Sequence, residues 1–166
     1  MTPAARHHLV AVLDMMWAHR SQLLYPPGDE RGSLDAASWA LREQQMQALL
    51  AHGGRAQFDC TAFDSWCWKA VGAWPYSQPG YTGSHLASLL PVYTDARQAG
   101  IGAEAVFGAG TGHHGALVLE PDPVHGDPLL QSHGRPGMDR LRLSALAASQ
   151  AASGHPGVRF CTVARL

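Results

Sequence analysis

The chain predicts an α+β fold, with helices gathered toward the N-terminus and an antiparallel sheet after them. Three observations lead there. A helix-spaced apolar run follows Thr2-Pro3, and a second one opens at Asp59-Cys60 and closes at Gly72. Beyond residue 100 the apolar runs shorten to strand length and are parted by Gly- and Pro-rich turns. At 166 residues and 46% hydrophobic content, the chain has enough apolar material for a core without staples, and no linker or repeat divides residues 1–166 into more than one domain. A net charge of −1 gives no reason to expect a nucleic-acid partner. Three cysteines, an odd number without paired spacing, argue against a disulfide framework.

Taken in order, Pro3 to about Leu24 reads as a helix with Thr2 as N-cap, Pro3 at its first position, and Leu9, Val12, Leu13, Met16 and Trp17 along one stripe. Tyr25-Pro26-Pro27-Gly28-Asp29 ends it, because proline cannot continue a helix and holds the preceding residue extended. Ser33 caps a second helix reaching about His52, stopped by Gly53-Gly54. The Cys60 helix follows, with Asp59 as its cap and Cys67 as a small buried hydrophobe. Residues 73–83 form an aromatic, turn-rich loop, and Ser84 caps a short helix up to Leu90-Pro91. Strands are expected at Ile101 to Gly108, His114 to Glu120 after the turn 109–112, and Leu129 to His133. An edge strand at Arg140 to Leu143, a helix over 144–152 and a last strand from Val158 to Leu166 complete a meander.

The chemistry centres on Cys60. Unpaired N–H groups in the first turn of a helix carry partial positive charge, which lowers a thiol's pKa and offers donors to an oxyanion. A nucleophilic thiol also needs a base and a group that orients the base. Gly112-His113-His114 and Ser132-His133-Gly134 supply histidines on two successive strands. If Ala116 and Val118 face the helix, strand alternation puts His114 on the same side and turns His113 away. Each feature alone has a plainer explanation: a lone cysteine is usually inert, and Trp66 and Trp68 suit core packing. Their coincidence favours catalysis by Cys60, His114 and His133. No Cys-x-x-Cys or His-x-x-x-His chelate suggests a metal, and no cofactor is expected.

Asp59-Cys60-Thr61-Ala62-Phe63 resembles the Asp-Cys-Ser-Gly-Phe signature of NlpC-like, papain-related cell-wall cysteine peptidases. Tyr25-Pro26-Pro27-Gly28, Gly80-Tyr81-Thr82-Gly83, Val106-Phe107-Gly108, Gly112-His113-His114, Ala116 to Glu120, Asp127 to Leu130 and Ser132-His133-Gly134 extend the likeness to the N-terminal peptidase domain of actinobacteriophage endolysins. The resemblance implies a papain-like NlpC-type fold and hydrolysis of an amide in the peptidoglycan stem peptide or cross-bridge through a thioester. It assigns Cys60 as nucleophile, His114 as base and His133 as the orienting residue. Tyr25, Asp59, Thr61, Trp74, Tyr81, Thr82 and His113 are then expected around the substrate. Three departures stand out: Gly115 replaces a β-branched residue, Ala103-Glu104 replaces Gly-Asp, and Arg135-Pro136-Gly137 precedes Asp139 where an acid is expected earlier. Asp139 is therefore an alternative third catalytic residue.

The same scaffold also suits an N-acetylmuramoyl-L-alanine amidase or an acyltransferase, and from another class an inactive wall-binding or virion structural module. Expected partners are peptidoglycan and, for a phage protein, a larger lysin or virion assembly around a monomeric chain, with no nucleic acid and no membrane insertion. Without a signal peptide at Met1, the chain is expected to be made in the cytoplasm and to act at the cell wall after release.

Overall fold

The computed structural model describes residues 2–26, 36–89, 91–135 and 137–163. It is an α+β arrangement built on a six-stranded antiparallel sheet. Helix α1 (Pro3–Ala18) starts as expected, with Thr2 Oγ1 accepting the Ala5 N–H at 3.2 Å, and buries Leu9, Val12, Leu13 and Met16. It stops six residues earlier than the sequence suggests. A 3-10 turn over Arg20–Gln22 leads into a two-residue strand, β1 (Leu23–Leu24), paired in parallel with β2 (Ala56–Gln57). This short pairing, continued by Phe58 N–H to Leu24 O at 3.0 Å, sets Tyr25 beside the start of the cysteine helix.

The second predicted helix is two. Helix α2 (Ala36–Ala40) and helix α3 (Glu43–Ala51) are separated at Leu41-Arg42, and the expected cap Ser33 lies outside the described residues. The break has a reason in the carbonyls. Trp39 O accepts from Lys69 Nζ and Leu41 O from Trp66 Nε1, so neither serves a continuous helical ladder. A reciprocal cap then restarts the chain, with Gln45 Oε1 accepting the Arg42 N–H at 2.9 Å.

Helix α4 (Cys60–Ala70) is capped by Asp59, whose carboxylate accepts the Ala62 N–H at 2.7 Å. Helix α5 (Thr82–Ser88) follows the aromatic loop, and Ser84 supports it from inside its first turn, bonding back to Tyr81 N–H at 2.9 Å. The sheet comprises β3 (Val92–Tyr93), β4 (Glu104–Phe107), β5 (His114–Glu120), β6 (Leu129–His133), β7 (Met138–Arg142) and β8 (Val158–Cys161). Its spatial order is β3-β8-β4-β5-β6-β7. Strands β4 to β7 form the expected meander with β7 on the edge. Helix α6 (Leu143–Ala152) then carries the chain back so that β8 pairs β4 rather than extending the meander.

Both faces of the sheet are covered. Val106, Leu117, Met138 and Cys161 pack with α1 and α4, while Ala105, Phe107, Ala116, Val118, Leu130 and Phe160 pack with Leu143 and Leu146 of α6. Every residue of β4 and all but the last of β5 are buried. The α1 side is fastened by Gln131 Nε2 donating to Leu13 O at 3.0 Å and by Arg140 donating to Asp14 Oδ1 at 2.6 Å.

Candidate active site

Cys60 begins α4 and His114 begins β5, and both open onto a cavity of about 500 Å³. Tyr25, Asp59, Thr61, Tyr81, Thr82 and His113 line the same space, as does Asp139. Of the four N–H groups in the first turn of α4, Ala62 bonds the Asp59 carboxylate and Phe63 the Asp59 carbonyl at 3.0 Å. The Tyr25 hydroxyl lies beside Cys60 at the cavity wall. Burial first, then the Cys60 and Asp59 charges, pushes the Tyr25 hydroxyl above its ordinary range, so it remains a proton donor.

His114 is buried, and its Nε2 lies 2.7 Å from Ser132 Oγ. Ser132 pairs with Ala116 across β5 and β6, which places His114, Ala116 and Ser132 on one face of the sheet. The expectation that Ala116 and Val118 face α4 is not met: they face α6, and Leu117 packs on the α4 side. His113 turns away and stacks on His155, ring centroids 3.5 Å apart and planes 11° from parallel, while still bordering the cavity.

His133 does not hold His114. It is the neighbour of Ser132 on a strand, so it points to the opposite face, where its ring packs against Tyr25 and Phe63 at 5.6 and 5.5 Å and its Nε2 approaches Leu24 O at 3.4 Å. Among the described residues its Nδ1 has no hydrogen-bond partner, and burial pushes its pKa down. The orienting contact expected from His133 comes from Ser132, which the motif Ser132-His133-Gly134 contained. Asp139 is directly across from Ser132 in the β6–β7 register, one step further from the imidazole. Trp74 is also displaced from its expected place at the substrate: it is buried, stacked on Trp68 at 5.7 Å, with its indole N–H on Gln78 O at 2.8 Å. From the aromatic loop it is Tyr81 and Thr82 that reach the cavity.

The electrostatics differ from a helix-activated thiolate. Burial foremost, then Asp59, pushes the Cys60 thiol up to about 12, against a lowering by the Gly115 N–H that bonds its sulfur. Burial and the neighbouring His113 take His114 down to about 4. At neutral pH the pair therefore rests as thiol and neutral imidazole. Desolvation and an adjacent carboxylate act against the dipole of α4.

Three residues that sequence reasoning did not place at a site sit directly behind this one. Asp64, His85 and Glu104 are wholly buried, with His85 Nδ1 2.7 Å from Glu104 Oε2 and His85 Nε2 3.0 Å from Ser65 Oγ. They explain Gly115: any side chain there would overlap Glu104 Oε1 and Asp64 Oδ2. Among the described residues, no three His, Cys, Asp or Glu side chains gather as a metal site requires. Compared with protein-family models, curated proteins and solved structures, the chain matches none.

Proposed function

We propose that the chain is a cysteine hydrolase of cell-wall peptides, an endolysin-like endopeptidase on a papain-like NlpC-type fold. The reading is carried by one observation: Cys60 at a helix start and His114 at a strand start share a cavity, and His114 Nε2 is tethered by Ser132. The sequence likeness around Asp59-Cys60-Thr61, Gly112-His113-His114 and Ser132-His133-Gly134 supplies the substrate class. The likeness and the geometry are separate arguments that agree on the nucleophile and the base.

With Nε2 committed to Ser132, Nδ1 is the nitrogen that accepts the thiol proton. Because thiol and imidazole both rest neutral, proton transfer accompanies attack on the carbonyl carbon instead of preceding it. The amide oxygen takes up negative charge beside the Cys60 N–H at the start of α4 and the Tyr25 O–H, which serve as its donors. The imidazolium then protonates the leaving amine as the C–N bond breaks. Water, deprotonated by His114, hydrolyses the thioester, releasing the acid and regenerating Cys60. The cavity volume suits a few residues of extended peptide.

Digestion of purified peptidoglycan followed by mass analysis of the products tests the reading. New amino groups within stem or cross-bridge peptides support an endopeptidase. Release of intact stems from lactyl-muramic acid replaces it with an amidase, and binding without any bond cleavage leaves a wall-binding module.

A further inference from the structure

Ser65 Oγ is the meeting point of three hydrogen bonds: Thr61 O at 2.7 Å, the Gly80 N–H at 3.0 Å and His85 Nε2 at 3.0 Å. A carbonyl only accepts and an amide N–H only donates, so the serine proton goes to Thr61 O and Gly80 donates to Oγ. His85 Nε2 must then carry hydrogen and donate to the remaining lone pair. On its other side a proton lies between His85 Nδ1 and Glu104 Oε2, and Glu104 Oε2 also accepts the Cys161 S–H at 3.4 Å. Asp64 and Glu104 Oε1 both border Gly115, and burial first and Glu104 second push the Asp64 carboxyl well above its ordinary range. Ser65, His85 and Glu104 thus form one connected, wholly buried cluster.

Its placement matters more than its charge. Thr61 belongs to the first turn of α4, one residue past Cys60, and Gly80 immediately precedes Tyr81 and Thr82, the residues of this loop that border the cavity. Gly80 lies so close to the His85 ring that any side chain there would overlap Nε2. The ring itself packs against both Trp68 and Trp74, at 5.3 and 5.0 Å. Three elements that do not touch in sequence, α4, the 77–81 loop and β4, are thus tied through one hydroxyl and one imidazole.

We propose that Ser65 and His85 are positioning residues, whose hydrogen bonds fix the Tyr81–Thr82 wall of the cleft to the first turn of α4 and so set its spacing from Cys60 for an extended peptide. The substrate part rests on the hydrolase reading; the mechanical part does not. Amide hydrogen exchange at Gly80 and Tyr81, measured without substrate, reads the mechanical part directly. Kinetics on a soluble stem peptide read the consequence.

Ser65→Ala should speed exchange at both amides about tenfold and raise KM by a similar factor with kcat little changed, the effect of losing about one hydrogen bond. Two replacements of the histidine separate positioning from general destabilisation. His85→Gln keeps an N–H where Nε2 was and should preserve slow exchange and a low KM. His85→Asn keeps only the Glu104 side and should behave like Ser65→Ala. A folded Ser65→Ala protein with wild-type exchange at Gly80 and Tyr81 overturns the proposal, as does a fall in kcat at unchanged KM. Should Ser65→Ala not fold, equal responses of the two histidine variants overturn it instead. The exchange pattern without peptide cleavage by the wild-type chain would refute the hydrolase reading alone.

Discussion

Two histidines in this molecule each bond a serine, and only one of the pairs opens onto a cavity. His114 and Ser132 lie 2.7 Å apart beside Cys60 at the cavity wall; His85 and Ser65 lie 3.0 Å apart with Glu104 behind them, all three wholly buried. Ser65–His85–Glu104 has the composition of a hydrolytic triad. It has no access, and its serine proton and lone pairs are committed to Thr61, Gly80 and His85. The pair at the cavity has no acid hydrogen-bonded to its imidazole among the described residues but leaves one imidazole nitrogen for chemistry. Access and uncommitted valence, rather than residue type, separate a reactive cluster from a structural one.

The sharpest way to break this contrast is to remove each cluster's nucleophile-like atom. Cys60→Ala should lower peptide hydrolysis by at least about 10³-fold while thermal unfolding stays close to wild type. Ser65→Ala should keep turnover. Comparable losses of turnover in the two variants, measured by product release from peptidoglycan, would erase the distinction. Tyr25→Phe comes next, with an expected loss of about 10- to 100-fold in kcat if its hydroxyl is an oxyanion donor, and no loss if it is only a wall.

Orientation of the base gives a smaller effect. Ser132→Ala should cost about tenfold in kcat with KM unchanged, the worth of one neutral hydrogen bond that holds the imidazole. His133→Gln should cost less, since His133 faces away from His114. The opposite ranking would restore the orienting role to His133. The pH profile sharpens the same point. His114 is the base only when neutral and is held down to about 4, so kcat/KM should rise through about pH 4 and be flat at neutrality. Its depressed pKa also sets a stability window: protection present above pH 6.5 is lost as pH falls toward 4, by about 3 kcal/mol from this group.

Most of the sheet and the cysteine helix was legible in the sequence because caps, turns and strand lengths are local. Asp59 and Thr2 cap as their positions suggest, and the 109–112 turn leads into β5 as expected. What failed was non-local. Strand alternation carried no facing information in His114–Glu120 because both faces of β5 are covered, leaving Ala116, Leu117 and Val118 equally buried. The parallel β1–β2 pair, which sets Tyr25 by Cys60, spans residues 23 to 57 with no periodic signal. The orienting contact needs only a hydroxyl on the correct face, which Ser132 supplies and His133, on the opposite face, does not. Asp64, His85 and Glu104 were scattered over 40 positions, and the one local trace of them was the glycine at 115.

That glycine leads to the smallest predicted effect. Asp64 is held protonated well above its ordinary pKa, by burial first and by Glu104 second. A carboxyl whose folded pKa is raised binds its proton more tightly in the native state than in the unfolded one, so its contribution to stability falls as pH rises above about 4. Asp64→Asn has nearly the same shape, needs no proton, and offers an amide N–H toward Glu104 Oε1. It should therefore stabilise the protein by about 1 kcal/mol or more at pH 8 and by much less near pH 4. Denaturant unfolding of both proteins across that range measures the difference. A difference that does not grow with pH would mean that Asp64 is ionised beside Glu104, and that the sealed cluster carries a charge which the open one must work against.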